Sequence, residues 1–141
     1  MPSTGGESIP IADSTIFRGS GVRVSPDGRS VVFPGRIHAG GLEGIGMKLA
    51  PAAGGAPTWM QPWPYSEDCE WTPDGRALSY CLNSGAVGNV WRQPLDGGPA
   101  QQITQFDDLR LFDHAWSADG RTLFVLRGRS PSEAVLIRDF R

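Results

Sequence analysis

Short apolar runs along this chain alternate with polar segments rich in glycine, proline and aspartate, and no run keeps a helical period. The apolar runs contain many of the β-branched and aromatic residues that suit a pleated sheet. The clearest stretch predicts four strands, over residues 69–71, 77–82, 89–94 and 101–104, the last short and polar like a sheet edge. The pattern therefore predicts an all-β protein built from short antiparallel strands.

One pentapeptide marks the same point in three successive units. It reads SPDGR at residues 25–29, TPDGR at 72–76 and SADGR at 117–121. Aspartate folds its side chain onto the backbone in such a turn, glycine adopts the left-handed conformation, and proline, where present, presets the first corner. Each copy is therefore predicted to be the sharp turn of a β-hairpin.

A second marker, a pair of glycines, recurs in phase with the pentapeptide at residues 5–6, 54–55 and 97–98. Asp-Gly turns that return every 45 to 47 residues are typical of four-stranded β-propeller blades. We therefore predict a single partial propeller domain over residues 1–141, with about three four-stranded antiparallel blades. The ring is incomplete, because closed propellers use about four to eight blades. The repeats run approximately over residues 5–53, 54–96 and 97–141.

The first and last repeats depart from this scheme. Pro34 is expected to weaken the second strand of the first repeat, and residues 35–46 are predicted to form a glycine-rich loop. Residues 83–88 are the matching loop of the second repeat. The last repeat is expected to end on a third strand at 134–139, with residues 7–12 as the candidate for its fourth. On this alignment the chain begins partway through a blade.

Composition and charge narrow the range of partners. A hydrophobic content of 39% with five tryptophans is enough for a packed interior. The formal net charge of −2 argues against nucleic acid as a partner, and no long apolar segment suggests membrane insertion. No signal peptide is visible, which favours a cytoplasmic location if the chain is complete and leaves a periplasmic or extracytoplasmic one open if it is truncated.

The two cysteines are not expected to pair directly. A two-residue turn at Asp74-Gly75 places Cys69 opposite Tyr80 and leaves Cys81 on the other face of the hairpin. A disulfide would require a different register, and the cysteine spacing does not match a zinc site. No metal and no other cofactor is expected.

Motifs of the common enzyme classes are missing from the sequence. There is no G-x-S-x-G nucleophile elbow, and the glycines at 41, 44 and 46 fit neither a dinucleotide fingerprint nor a Walker loop. No nucleophile and base can be named as a pair. The chain is therefore predicted to be noncatalytic, with no catalytic residue.

The second repeat carries a resemblance to a known family. Trp71, the turn at 72–76, an apolar strand, VWRQPLDGG at 90–98 and Ile103-Thr104 resemble the TolB-like β-propeller repeat, which is related in shape to WD-type repeats. The first repeat differs in having Val24 at the tryptophan position. The ending is similar to the final strand of TolB-like propellers that form the C-terminal segment of larger bacterial proteins.

The resemblance also implies where a ligand would bind. In TolB-like propellers the strand before each Pro-Asp-Gly turn lines the channel, which would bring Asp68 and Glu70 of one blade near Asp113 and His114 of the next. Such a cluster could receive a basic peptide, an amine or a cation. These four residues are the candidate ligand-binding site.

Three functions follow as hypotheses. The first is a noncatalytic binding or scaffold module for a protein or small-molecule ligand. The second is the C-terminal sensor portion of a bacterial signalling protein, with a Ser/Thr kinase or winged-helix domain encoded upstream. The third, least favoured, is an enzyme with its site in the channel. Because three blades leave two open faces, either the remaining blades belong to a longer parent chain, or two copies form a homodimer that completes a six-bladed ring.

Overall fold

The computed structural model describes residues 8, 21–39, 42–57, 59–62 and 69–129, and these residues form strands and turns without a helix. The strands form three antiparallel sheets, which we call blades 1, 2 and 3. Blade 1 has the order β1-β2-β3-β4, blade 2 the order β5-β6-β7-β8, and blade 3 contains β9 and β10. The ten strands are β1 Arg23–Val24, β2 Ser30–Ala39, β3 Leu42–Pro51, β4 Trp59–Pro62, β5 Cys69–Trp71, β6 Ala77–Ser84, β7 Val87–Pro94, β8 Gln101–Gln102, β9 Arg110–Trp116 and β10 Leu123–Gly128.

The predicted all-β class is confirmed, and the two four-stranded blades follow the predicted strand order. The expected last strand at 134–139 lies outside the described residues. Residues 7–12 also lie outside them, except for Ser8, which is exposed.

All three Asp-Gly turns have the same hydrogen bonds. The hydroxyl of the first residue donates to the aspartate two positions later, over 2.5, 2.6 and 2.6 Å for Ser25, Thr72 and Ser117. The same carboxylate oxygen accepts the arginine N–H two positions further on, at 3.0, 3.0 and 3.1 Å. The intervening glycine has a φ of 72°, 66° or 69°, where any other residue would be strained. The turn geometry predicted from the sequence is therefore confirmed.

The prediction of loops at residues 35–46 and 83–88 was wrong. Strands β2 and β3 pair continuously from Ser30↔Pro51 to Ala39↔Leu42. Strands β6 and β7 likewise pair up to Ser84↔Val87, around a turn at Gly85-Ala86. Local glycine content suggested loops, but cross-strand pairing satisfies the backbone groups along both hairpins. Pro34 lies within β2, beyond Val31 and Val32, which pair with β1.

Blades 1 and 2 pack through an apolar cluster. Val32 and Met47 of blade 1 contact side chains from β5 and β6 of blade 2, all of them buried: Cys69, Trp71, Leu78 and Tyr80. The Trp71 indole N–H donates to the Arg23 carbonyl at 3.1 Å, so the ring is held by both packing and a hydrogen bond. This cluster fixes the two inner strands, β1 and β5, side by side.

Blades 2 and 3 are joined by a polar contact. The Asn83 side chain donates to the Leu111 carbonyl at 3.0 Å and accepts the Leu111 N–H at 2.9 Å. It thereby pairs with the β9 backbone as a neighbouring strand would. Opposite Asn83 on β7, Gly88 donates its N–H to the Leu109 carbonyl at 3.0 Å, and an added Cβ would collide with the Leu111 backbone. These contacts set the position of β9 and its side chains.

Candidate binding site

The inner strands β1, β5 and β9 place equivalent residues of the three repeats next to one another. Arg23, Glu70 and Ala115 are these equivalents, each two positions before the Ser/Thr of its turn, and Asp113 lies two residues earlier on β9. We call Arg23, Glu70, Asp113 and Ala115 the inner-strand row. Three of its four members are charged, so the row is a polar surface.

A charged pair within the row links blades 1 and 2. Arg23 Nε donates to Glu70 Oε1 at 3.2 Å. The two side chains keep 36% and 40% of their surface exposed, so water screens the attraction and the pair adds little stability. Glu70 can therefore be approached by solutes while it already accepts a guanidinium group.

Asp113 is exposed, and its carboxylate accepts the backbone N–H of His114 at 2.8 Å. Asp113 pairs with Leu126 across the β9–β10 ladder, and Ala115 pairs with Phe124. All four side chains are exposed on the same face of blade 3. The carboxylate of Asp113 thus faces solvent.

His114 lies on the opposite face of β9 and points into blade 2. Only 4% of the residue is exposed, and its Nε2 lies 2.8 Å from Ser79 Oγ. Its Nδ1 lies 3.3 Å from the Cys81 sulfur. Trp116, two residues along, donates its indole N–H to the same Ser79 oxygen at 2.9 Å. Ser79 is thereby the centre of a buried polar network between the blades.

The polar network replaces an apolar contact at the equivalent place between blades 1 and 2. There, Val32 packs against Cys69 and Trp71. One blade further on, Ser79 stands at the position of Val32, and His114 at that of Cys69. Both partners have therefore changed from apolar to polar, and each satisfies the other's hydrogen bonds.

The structure separates the four predicted site residues into different surroundings. Asp68 lies outside the described residues. The Glu70 carboxylate pairs with Arg23, while the Glu70 carbonyl lies 3.3 Å from the Ser79 hydroxyl that contacts His114. Asp113 faces solvent and His114 is buried, so the two neighbours in sequence serve different surfaces.

Ser79 and Cys81 were missed as site residues. Each stands inside a strand and looks like an ordinary sheet position, and only the packing of blade 3 brings His114 against them. A usable signal was present in the repeat alignment, where a serine and a histidine replace two apolar residues together. The predicted pairing of Cys69 with Tyr80 is confirmed, and Cys69 and Cys81 are not joined by a disulfide.

A groove of about 510 Å³ lies between blades 2 and 3 at the turn end of the strands. Asp74, Arg92, Trp116 and Asp119 are among its lining residues. The two carboxylates each accept hydrogen bonds within their own turns, and Arg92 lies 3.6 Å from Asp74. The polar groups of the groove are thus engaged in holding the turns.

Within the described ranges, no group of three or more His, Cys, Asp or Glu side chains could hold a metal ion. The same part of the chain has no helix long and apolar enough to cross a membrane.

Sequence comparison finds partial relatives. No family model matches the chain. A stretch of 52 residues is 33% identical to a Tricorn protease homolog of Streptomyces coelicolor, which covers 37% of this chain and 5% of that protein. An uncharacterized protein of Agrobacterium fabrum is 26% identical over 107 residues, which covers 76% of this chain and 35% of that protein. The chain therefore spans only a minor part of both relatives.

Structure comparison identifies the fold. A solved structure assigned as a TolB of Agrobacterium tumefaciens superposes with a TM-score of 0.57 at 23% identity, covering 83% of this chain and 40% of that one. TolB of Acinetobacter baumannii gives a TM-score of 0.51 at 20% identity and covers 82% and 28% of the two chains. The chain has the TolB-like β-propeller fold, as its repeats predicted.

Proposed function

We propose that this chain is a noncatalytic propeller segment that binds a basic protein segment or a small cationic ligand through the inner-strand row. The observation that supports the proposal is the Arg23–Glu70 pair: Glu70 holds a guanidinium group at 3.2 Å while remaining 40% exposed. Asp113 supplies a second exposed carboxylate on the inner strand of the next blade. A guanidinium or ammonium group of the ligand would replace Arg23 at Glu70, and a second cationic group of the same ligand would pair with Asp113.

The arrangement makes Arg23 a competitor of the ligand. Replacing it with alanine should leave Glu70 available and tighten binding, whereas Glu70→Gln should weaken it. Each change is expected to be about 1.4-fold to fivefold, because exposed ion pairs contribute about 0.2–1 kcal/mol. General surface charge would give the same two directions, so the site is identified by Glu70→Gln weakening binding more than the loss of a distant exposed carboxylate does.

Fluorescence anisotropy with a labelled oligoarginine peptide measures these effects. Asp107→Asn is the matched control, because it removes one exposed carboxylate from the segment between β8 and β9, away from the row. Circular dichroism of each variant checks that the fold is retained. Equal weakening by Glu70→Gln and Asp107→Asn, or no effect of Arg23→Ala, would contradict the proposed site.

The two other hypotheses from the sequence, the sensor portion of a signalling protein and the channel enzyme, stay predictions. A sensor role requires an in-frame kinase or winged-helix domain in the genomic sequence upstream. A channel enzyme requires turnover of a substrate by the chain itself.

A further inference from the structure

Cys81, His114 and Ser79 form an arrangement of nucleophile, base and orienting group. The Cys81 sulfur lies 3.3 Å from His114 Nδ1, which is within hydrogen-bond reach of a thiol. On the other side of the ring, Nε2 lies 2.8 Å from Ser79 Oγ. A thiol beside an imidazole whose second nitrogen is held by a third group is the usual way to activate a cysteine.

The hydrogen bonds around Ser79 allow His114 to take the thiol proton. Ser79 Oγ accepts the Trp116 indole N–H at 2.9 Å and lies 3.3 Å from the Glu70 carbonyl, to which it can donate. With the hydroxyl turned to Glu70, the oxygen accepts from His114 Nε2–H, and Nδ1 is left as the acceptor. After proton transfer the ring donates from both nitrogens, to Ser79 and to the thiolate, so no buried polar group loses its partner.

We propose that Cys81 is a reactive thiol, with His114 as its base and Ser79 as a positioning residue, and that it forms mixed disulfides with small disulfide molecules. His114 Nδ1 takes the Cys81 proton, and the thiolate attacks one sulfur of the small disulfide. A new S–S bond forms as the old one breaks. Cys81 is oxidised, and the departing half is reduced to a thiolate that takes up a proton from solvent.

Cys81 is the more accessible of the two cysteines. Cys81 is partly exposed, whereas Cys69 is 3% exposed within the apolar cluster between blades 1 and 2. Cys69 therefore serves as an internal control, because it is a second cysteine at a buried site in the neighbouring strand.

On the surrounding strands, four of the five charged residues in the described part of the chain contact other groups, and the fifth, Arg110 of β9, is exposed. Glu70 of β5 pairs with Arg23, Arg92 of β7 with Asp74, and Arg127 of β10 with Asp108, while the Asp113 carboxylate of β9 accepts the His114 N–H. The His114 imidazole lies within hydrogen-bond distance of the thiol. The proposed activation therefore depends on His114.

The test measures mixed-disulfide formation with glutathione disulfide on the native chain, by intact mass and by mapping the modified cysteine. We expect Cys81 to react at least about tenfold faster than Cys69, since reactivity follows thiolate content and access. His114→Gln should slow Cys81 on the order of tenfold while leaving Cys69 unchanged. Cys69→Ala keeps the contacts among Cys81, His114 and Ser79, so its Cys81 should react at the same rate as in the native chain.

The pH dependence separates activation from simple exposure. In the native chain the rate of mixed-disulfide formation at Cys81 should begin to rise at a pH well below about 8.5, the ordinary pKa of a cysteine thiol. His114→Gln should move this rise back toward that pH. Ser79→Ala retains both reacting groups and should shift the profile in the same direction by a smaller amount. Ser79→Ala also tests the proposal if His114→Gln does not fold.

The proposal is overturned if Cys81 and Cys69 react at equal rates. It is also overturned if Cys81 reacts faster but neither His114→Gln nor Ser79→Ala changes its pH profile, because exposure alone would then explain the difference.

Discussion

Each Asp-Gly turn depends on one carboxylate oxygen that accepts two hydrogen bonds. For Asp74, the Thr72 hydroxyl is the main cause that holds the pKa of the carboxyl below its ordinary value of 3.8, and burial opposes the shift. The backbone N–H of Arg76 lowers this pKa further. The pKa values of Asp27 and Asp119 are lowered in the same way, chiefly by Ser25 and Ser117. The turn therefore favours the ionised carboxylate, which accepts hydrogen bonds but cannot donate one.

Acid should destabilise the fold through these turns. Because each folded pKa lies below 3.8, the contribution is fully present above that value and is lost as pH falls through the lowered one. Urea midpoints measured from neutral pH down to about pH 2 should decline, and Asp74→Asn should make the decline less steep. Asp107→Asn is the control and should leave the slope unchanged. An identical slope for Asp74→Asn and the native chain would contradict this role of the turn.

At the scale of strands and sheets, the two internal interfaces use different chemistry. Blades 1 and 2 meet through apolar side chains around Val32 and Trp71, and a non-directional contact of this kind tolerates small shifts. Blades 2 and 3 meet through Asn83, Ser79 and His114, whose hydrogen bonds require fixed distances. The second interface therefore defines the position of β9 more sharply than packing alone would.

Removing the Asn83 side chain should loosen blade 3. Asn83→Ala leaves both the N–H and the carbonyl of Leu111 without their present partner, and we expect a loss of about 1–3 kcal/mol in the free energy of unfolding. Urea denaturation measures the loss. Ser84→Ala, at the next and exposed residue of β6, is the control and should change stability by less than about 0.5 kcal/mol. Equal effects of the two substitutions would show that Asn83 does not secure the interface.

At the scale of the whole molecule, the two outermost blade faces carry the same repeat positions as the faces that pack against each other between blades of one chain. Phe124 stands at the repeat position of Ser79 and Val32, and Val24 at that of Trp71 and Trp116. Phe124 is 61% exposed and Val24 is 58% exposed. Because Val32 packs on Trp71 within the chain, Phe124 of one copy is suited to pack on Val24 of another.

We expect two copies to associate through these faces, with blade 3 of each against blade 1 of the other, in a six-bladed ring. Light scattering should give twice the chain mass of 15.2 kDa at micromolar concentration. Phe124→Asp should shift the mass toward that of one chain, whereas Ile103→Asp, at an exposed apolar residue beside blade 2, should not. A single-chain mass for the native protein at all concentrations, or equal effects of both substitutions, would rule out this association.

Much of the fold could be predicted from local chemistry. Interactions within a few residues explain the three Asp-Gly turns, the strands beside them and the cross-strand pairing of Cys69 with Tyr80. The hairpin extensions at residues 35–46 and 83–88 could not be predicted in this way. Their glycine and polar content suggests loops, and only pairing with the opposite strand makes them part of a sheet.

The sequence by itself determined the repeat, the turns and the all-β class, because these depend on residues close together in the chain. Only the tertiary structure decided which side chains meet between blades. His114 contacts Cys81 across 33 positions and Ser79 across 35, and Arg23 pairs with Glu70 across 47. Such contacts depend on how whole sheets stack, and a change of one residue in strand register would turn each of these side chains to the opposite face.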